Sequence, residues 1–384
     1  MKNIVILISF LFACSCQYKN RQMPENKGIV VDLDVYEDKN FKASDIFKNC
    51  RTIILETKIE CLIGNISDIQ VYDGKIFIHD KTIGKSLLVF DMNGKFICRI
   101  GNFGRGPGEY SNINDATIDQ DNKVVYVLDS HRKILLKYSL EGEYISSVSI
   151  KEDNVSFRSI QYFDGKIYAS IQHTKKNDDN LLKLIDPVSG KVIKGYLTME
   201  DNKGWNGAES EYGFFHRAHR TPRYTRSFMN YIFSLENMTI PHVTFESKNF
   251  ANRTLVDEIK TKNVIEQKST LLRTRKIYGI QNFIETKDFI FFQFDHGQTS
   301  TGLYRKYEET TTIGFFKNDL LYKTGCLLTP RCTDDKGAYE AVAMDQFLLY
   351  YKDLLLDDVD KRDQLLALDE NSNPIIFYYE FKDN

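Results

Sequence analysis

The chain has 384 residues, a formal net charge of −2 and seven cysteines. Charge so close to balance gives no electrostatic reason to expect a nucleic-acid partner or adhesion to an anionic membrane surface. With 22 Tyr and 26 Phe against one Trp and seven Pro, the composition suits pleated, half-buried strands. The length admits two or three ordinary domains or a single closed repeat array.

The N-terminus reads as a targeting segment. Lys2 precedes a mainly apolar stretch from Ile4 to Ala13, and Cys14 and Cys16 follow at once. Ten residues would extend only about 15 Å as a helix, half the hydrocarbon thickness of a bilayer, which fits a secretory signal rather than a membrane span. Leu11-Phe12-Ala13-Cys14 resembles a bacterial lipobox. The resemblance implies lipidation of Cys14, with Cys16 as the alternative acceptor. The expected organisation is a lipoprotein signal peptide over 1–16, a polar tether over 17–45 and a folded body over 46–384. Residues 15–20 lack the acidic cluster that resembles a surface-export signal, so the expected location is the bacterial cell envelope, lipid-anchored and facing the periplasm. Of the other cysteines, Cys50, Cys61, Cys98, Cys326 and Cys332, only Cys326–Cys332 suggests a small disulfide loop. Their odd number and spacing fit neither a disulfide framework nor a structural zinc site.

Arg51–Glu56 is the first convincing strand. A blade-like series then begins near Ile66: Ile69–Tyr72, a turn at Asp73-Gly74, Ile76–Ile78, and a hairpin from Leu87 to Ile97 around Asn93-Gly94. A second series runs through Ala116–Ile118, Val124–Val127 and a hairpin from Leu135 to Ile145 around Glu141-Gly142. A third runs through Ile160–Phe163, Ile167–Ala169 and a hairpin from Leu181 to Ile193 around Ser189-Gly190. Apolar runs joined by Gly turns are hairpins, and a period of about 40–50 residues with such chemistry marks propeller blades.

Beyond residue 200 the repeat degrades. A long insertion is expected around 200–226, then a fourth blade from Ser227–Leu235, Thr239-Ile240 and His242–Phe245. Mixed apolar and charged positions predict a helical insertion over 255–275. Asn282–Glu285, Phe289–Phe294, Gly302–Tyr304 and Thr312–Phe316 supply a fifth blade. Tyr339–Tyr351 opens a sixth, Asp360–Leu368 reads as a short helix, and Ile375–Phe381 is the last strand. An unpaired edge at the ring's seam is costly, so the N-terminal strand is expected to complete the C-terminal blade. The predicted fold is all-β, a six-bladed β-propeller of four-stranded antiparallel blades closed in this way.

The stretch Phe90-Asp91-Met92-Asn93-Gly94-Lys95-Phe96-Ile97-Cys98-Arg99-Ile100-Gly101-Asn102-Phe103-Gly104-Arg105-Gly106-Pro107-Gly108-Glu109-Tyr110 closely resembles the inter-blade motif of the six-bladed β-propeller lipoproteins of Bacteroides-type bacteria, and more distantly NHL-repeat propellers. Ser234–Ile240 and Glu370–Ile376 look like the same family. The resemblance implies six blades and an envelope location. It carries no catalytic residues.

Three constellations invite a function. Gly101–Tyr110 is glycine-rich, but strands are expected on both sides where a dinucleotide loop needs a following helix. It reads as a crossing between blades, with Arg105 and Glu109 as ligand candidates if the loop faces the channel mouth. Arg217, Arg220, Arg223 and Arg226 recur at three-residue steps beside His216, His219 and Tyr224. They read as a solvated loop or as an anion site, because guanidinium forks match carboxylate or phosphate. Asp80, Asp115, Asp129 and Glu109, with His79, His131, His173, His242 and His296, are the candidates for a channel divalent cation, and His79-Asp80 and Ser130-His131 look nearly equivalent between blades. The expected function is a non-catalytic envelope lipoprotein that binds or scaffolds an envelope protein or glycan without a cofactor, its membrane contact being the N-terminal lipid. The alternative is a metal-dependent hydrolase or lyase acting in the channel.

Overall fold

Left-handed glycine turns produce the repeat. The computed structural model describes residues 28–382 apart from 39–40, 153–154, 175–179, 206–214, 218–220 and 325–327. Gly142 has φ +88° and Gly190 φ +68°, a region open to glycine at no steric cost. These turns also meet the preceding blade. A Cβ on Gly142 would stand 2.5 Å from the Arg99 carbonyl oxygen, and one on Gly190 would fall on that of Ser149. Gly94 repeats the contact against Ile54.

Six sheets surround an axis. Blade one is Asp68–Tyr72, Lys75–Asp80, Ser86–Asp91 and Phe96–Arg99, in antiparallel order from the axis outward. Blade two is Asp115–Asp119, Val124–Asp129, Ile134–Ser139 and Tyr144–Ser149. Blade three is Val155–Phe163, Lys166–Thr174, Leu182–Ile185 and Val192–Tyr196. Blade five is Ile280–Glu285, Phe289–Asp295, Thr299–Arg305 and Thr310–Gly314. The near-continuous apolar runs follow from sheets buried on both faces. Leu88 and Phe90 pack with Ile53 and Ile376 of the sixth blade, whereas Leu87 and Val89 pack with Ala116 and Val125 of the second.

The ring closes as expected. Phe47–Ile54 pairs antiparallel with Ile375–Phe381, which pairs with Gly337–Val342 and, beyond it, Cys332–Thr333. N-terminal chain therefore forms the outer strand of blade six. The helical insertion expected over 255–275 is two helices, α1 (Arg253–Ile259) and α2 (Val264–Thr274), each capped by an asparagine side chain, Asn252 or Asn263, and the short helix expected over 360–368 is Arg362–Leu366.

Three expectations need correction. The expected tether is part of the body from Ile29 onward. Ile29–Asp32 adds a parallel fifth strand to blade four, and Glu37 and Lys42 bridge to Ile313 and Lys317 at the rim of blade five. Val31 and Leu33 are buried while the alternating aspartates face outward. Second, the stretch assigned to an insertion supplies the innermost strands of blade four, Phe215–His216 and Arg223–Tyr224, ahead of Tyr231–Ser234 and Val243–Glu246. Phe215 and Tyr224 pack against Leu182 and Phe233, which overrides the polarity of their neighbours. Third, the strand from Tyr339 ends at Val342, and residues 344–354 are helical, with Phe347 seated in the blade-six core. Cys332 is a free, buried thiol; Cys326, like Cys14 and Cys16, lies outside the described residues. Among the described residues no helix is long and apolar enough to cross a membrane.

Candidate functional site: channel and groove

The innermost strands line the channel, and Arg217, just past the innermost strand of blade four, reaches across it. Its Nη2 donates to Asp115 Oδ2 at 3.1 Å and to the carbonyls of Ala116 and Ile160 at 3.1 and 3.3 Å. Its Nε donates to Gln161 Oε1 at 3.2 Å, and Nη1 forms an ion pair with Asp68. One guanidinium thus ties blade four to blades one, two and three. Asp115 is also the bracket between blades two and three, because Oδ2 accepts the Ile160 N–H at 2.8 Å. Its Oδ1 receives Lys81 Nζ at 3.1 Å. Burial pushes the Asp115 carboxyl upward, but the charge of Lys81 with the His79 contact outweighs it and holds the group below the ordinary carboxylate value.

The arginines expected to cluster do not. Arg223 forms a fork on Glu285, with Nε and Nη2 each 2.8 Å from Oε2. Glu285 also receives His242 Nε2 at 2.9 Å and Lys306 Nζ at 2.7 Å. Burial would raise the Glu285 carboxyl; the His242 bond and the Arg223 charge bring it down to about 2. Arg226 is buried, donating to the Ile171 carbonyl at 2.7 Å. Arg220, like His219, lies outside the described residues. The three described arginines therefore serve the axis, the junction of blades four and five, and the junction of blades three and four.

The crossing loop is a closed knot. Asn102–Phe103 pairs parallel with Glu109–Tyr110, and Glu109 Oε2 accepts the Gly106 N–H at 2.8 Å. Tyr138 Oη donates to the Gly108 carbonyl at 3.0 Å, fastening the loop to blade two. Arg105 is exposed at its tip. The amides that might cradle a phosphate are thus directed in part at the loop's own carboxylate.

The carboxylates considered for a cation are likewise engaged. Asp80 accepts the N–H groups of Gly64, Asn65 and Ile83 at 2.8–3.0 Å, and Asp129 accepts those of Ser111 and Arg132 at 2.7 and 3.1 Å. Asp80 and Asp129 both end second strands, so the equivalence between blades is Asp80 with Asp129, not with Ser130-His131. His79 is buried with Nδ1 3.7 Å from Asp115, too far for a hydrogen bond, and burial lowers its pKa to about 4. His131 is exposed, His296 lies 3.8 Å from Glu37, and the side chain of His173 is outside the described set. Among the described residues no three His, Cys, Asp or Glu side chains converge as a metal site.

Two hollows flank Arg217 along the axis. One, of about 330 Å³, is lined by Gln70, Gln161 and Tyr162. The other, of about 220 Å³, is lined by Asp68, His216, Gln281, Asn282 and Arg331. A larger groove of about 1090 Å³ lies between blades five and six on the face carrying the turns at 286–288 and 306–309, beside the Arg223–Glu285 pair. Asp68, Gln161, Glu285 and Arg331 were not singled out from sequence. The repeat offers a signal for the first, since Asp68-Ile69-Gln70-Val71 aligns with Asp115-Ala116-Thr117-Ile118.

These features define a six-bladed β-propeller whose axis is blocked by an arginine. The chain belongs to the family described as domain of unknown function DUF4934, which it matches over residues 28–380. Its fold is similar to that of BF0058 from Bacteroides fragilis, named as a candidate exported protein, at TM-score 0.73 and 17% identity over 93% of this chain and 100% of that one. A DUF4221 member from Bacteroides vulgatus aligns at TM-score 0.47 and 12% identity, over 88% of this chain and 98% of that one. BamB from Moraxella catarrhalis aligns at 0.38 and 10%, over 77% and 70%. No curated protein matches the sequence.

Proposed function

We propose that the protein is a non-catalytic binding module of the bacterial envelope, tethered by a lipid at Cys14 or Cys16 on the periplasmic side, with a glycan as its preferred ligand. The groove between blades five and six carries this reading. Exposed Tyr307 and half-buried Phe289 and Phe381 offer apolar faces, while Lys287, Arg305, Asp288 and Glu308 place donors and acceptors of both signs around them. Mixed polarity around aromatic faces suits a hydroxyl-rich, amphipathic ligand better than a purely anionic one. Loops on a rigid propeller disc are natural binding positions, and the exported status suggested by the name of BF0058 is consistent with the envelope location. The carboxylates considered for hydrolysis support the reading too, since each already anchors a turn, a loop or an ion pair.

Glycan-array binding of the lipid-free domain tests the proposal. Tyr307→Ala combined with Arg305→Ala should lower binding at least tenfold while leaving thermal stability nearly unchanged. Binding that survives the double substitution would remove the groove from consideration.

A further inference from the structure

The 220 Å³ hollow at the channel mouth holds a cation without a close ion-pair partner. Arg217 and Asp68, which also line it, neutralise each other. His216 forms part of the wall and is neutral, its pKa lowered to about 3 by burial. Cys332, buried in the same wall, is kept protonated by desolvation. Arg331 is different: it reaches solvent although burial lowers its pKa, and among the described residues its side chain has no ion-pair partner within 4.0 Å, the buried Glu340 acting on it only through its charge. Around it stand the amides of Gln281 and Asn282, and His216 Nε2 is buried without a hydrogen-bonding partner.

We propose that this hollow is a binding site for a small monocarboxylate, with Arg331 as its anchor. A guanidinium presents two parallel N–H donors that match the two oxygens of a carboxylate. A single guanidinium that already feels the buried Glu340 carboxyl suits a monoanion better than a phosphate dianion. The volume lies below the range of about 300–1000 Å³ usual for drug-sized ligands, so the occupant is the size of a single sugar acid or amino acid. The carboxylate belongs either to a free small acid or to the end of a longer chain. This site opens toward the connections between blades, whereas the groove proposed for a glycan lies on the face that carries the turns; Thr333 lines both, but neither Arg331 nor Tyr307 does, so the two are tested separately.

Isothermal titration of the whole lipid-free protein with sodium glucuronate, and with glucose as the uncharged control, is the test. Glucuronate should bind, glucose should not, and Arg331→Met should weaken glucuronate at least tenfold. Arg331→Lys should recover part of the affinity, and Tyr307→Ala, which lines the groove and not this hollow, should change nothing. A tetra-uronate that binds more tightly than the monomer assigns the carboxylate to a chain end; equal affinity assigns it to a free acid. Absent binding of glucuronate and acetate alike, or equal affinity in wild type and Arg331→Met, overturns the proposal. Because Arg331 is exposed, the methionine variant should melt within a few degrees of wild type, and a charge-reversed Arg331→Glu protein that still bound glucuronate would also refute it.

Discussion

Replacing Arg217 by methionine tests whether the axis is held by charge or merely filled. Methionine keeps most of the side-chain volume but strands Asp115, whose side chain is 1% exposed, and Asp68, at 18%. Removing one partner of a buried ion pair costs about 3–5 kcal/mol, chiefly because the other charge remains desolvated. Lys81 still stands 3.1 Å from Asp115 and offsets part of this, so a loss of about 3 kcal/mol at pH 7 is expected. The assay is urea unfolding followed by tyrosine fluorescence and circular dichroism together. Arg217→Lys should recover less than half, because an ammonium cannot serve the Asp68, Asp115 and Gln161 directions at once. The pH dependence adds a second readout. The Asp115 carboxyl is depressed in the folded protein, so its contribution is complete above the ordinary carboxylate range and is lost as pH falls through that range and below. Because Arg217 Nη2 lies 3.1 Å from Asp115 Oδ2, removing that charge should lift the folded carboxyl and make the acid limb of Arg217→Met shallower. A loss below about 1 kcal/mol at pH 7, with an unchanged acid limb, would refute the electrostatic account of the axis.

Two further outcomes follow from burial and closure. His79 and His216 stay neutral in the fold down to about pH 4 and 3, whereas an unfolded histidine protonates near 6.5, so their stabilisation is full above pH 6.5 and declines on acidification. Each should cost up to about 2–3 kcal/mol by pH 4.5; His216→Phe should flatten the urea midpoint between pH 7 and 4.5, and a wild-type midpoint that does not move over that window would contradict the burial of both rings. Deleting residues 46–57 should abolish the cooperative thermal transition, while deleting 29–35 should lower its midpoint and leave it cooperative; indistinguishable melts for the two truncations would show that the seam is not where closure resides.

What was legible in the sequence is what is local. Asn93-Gly94, Glu141-Gly142 and Ser189-Gly190 mark hairpins because a turn is specified by adjacent residues, and the apolar runs around them betray sheets covered on both faces. The rim strand at Ile29–Asp32 escaped notice although Val31, Leu33 and Val35 alternate with Asp32 and Asp34. An acidic alternation of five residues resembles a solvated tether, and its partner, Val243–Glu246, is some 214 positions away. The arginine stretch misled in the opposite direction. Arginine is usually exposed, yet Arg217 and Arg226 are committed to blades one, two and three, through residues 45–149 positions distant. Nothing near them in the chain reveals those partners. Asp68 was the recoverable omission, since it shares its place in the repeat with Asp115.

The circumferential N-terminal segment also determines how the disc would carry load. A pull on the N-terminus first meets the four-residue pairing at Ile29–Asp32, then the isolated bridges at Glu37 and Lys42, and only afterwards the eight-residue seam strand Phe47–Ile54. The short contacts can peel and lengthen the leash before tension reaches the strand that keeps the ring shut. Under a pull from that end the segment would thus work as a mechanical fuse, lengthening while the blades, the axis and both candidate sites stay assembled.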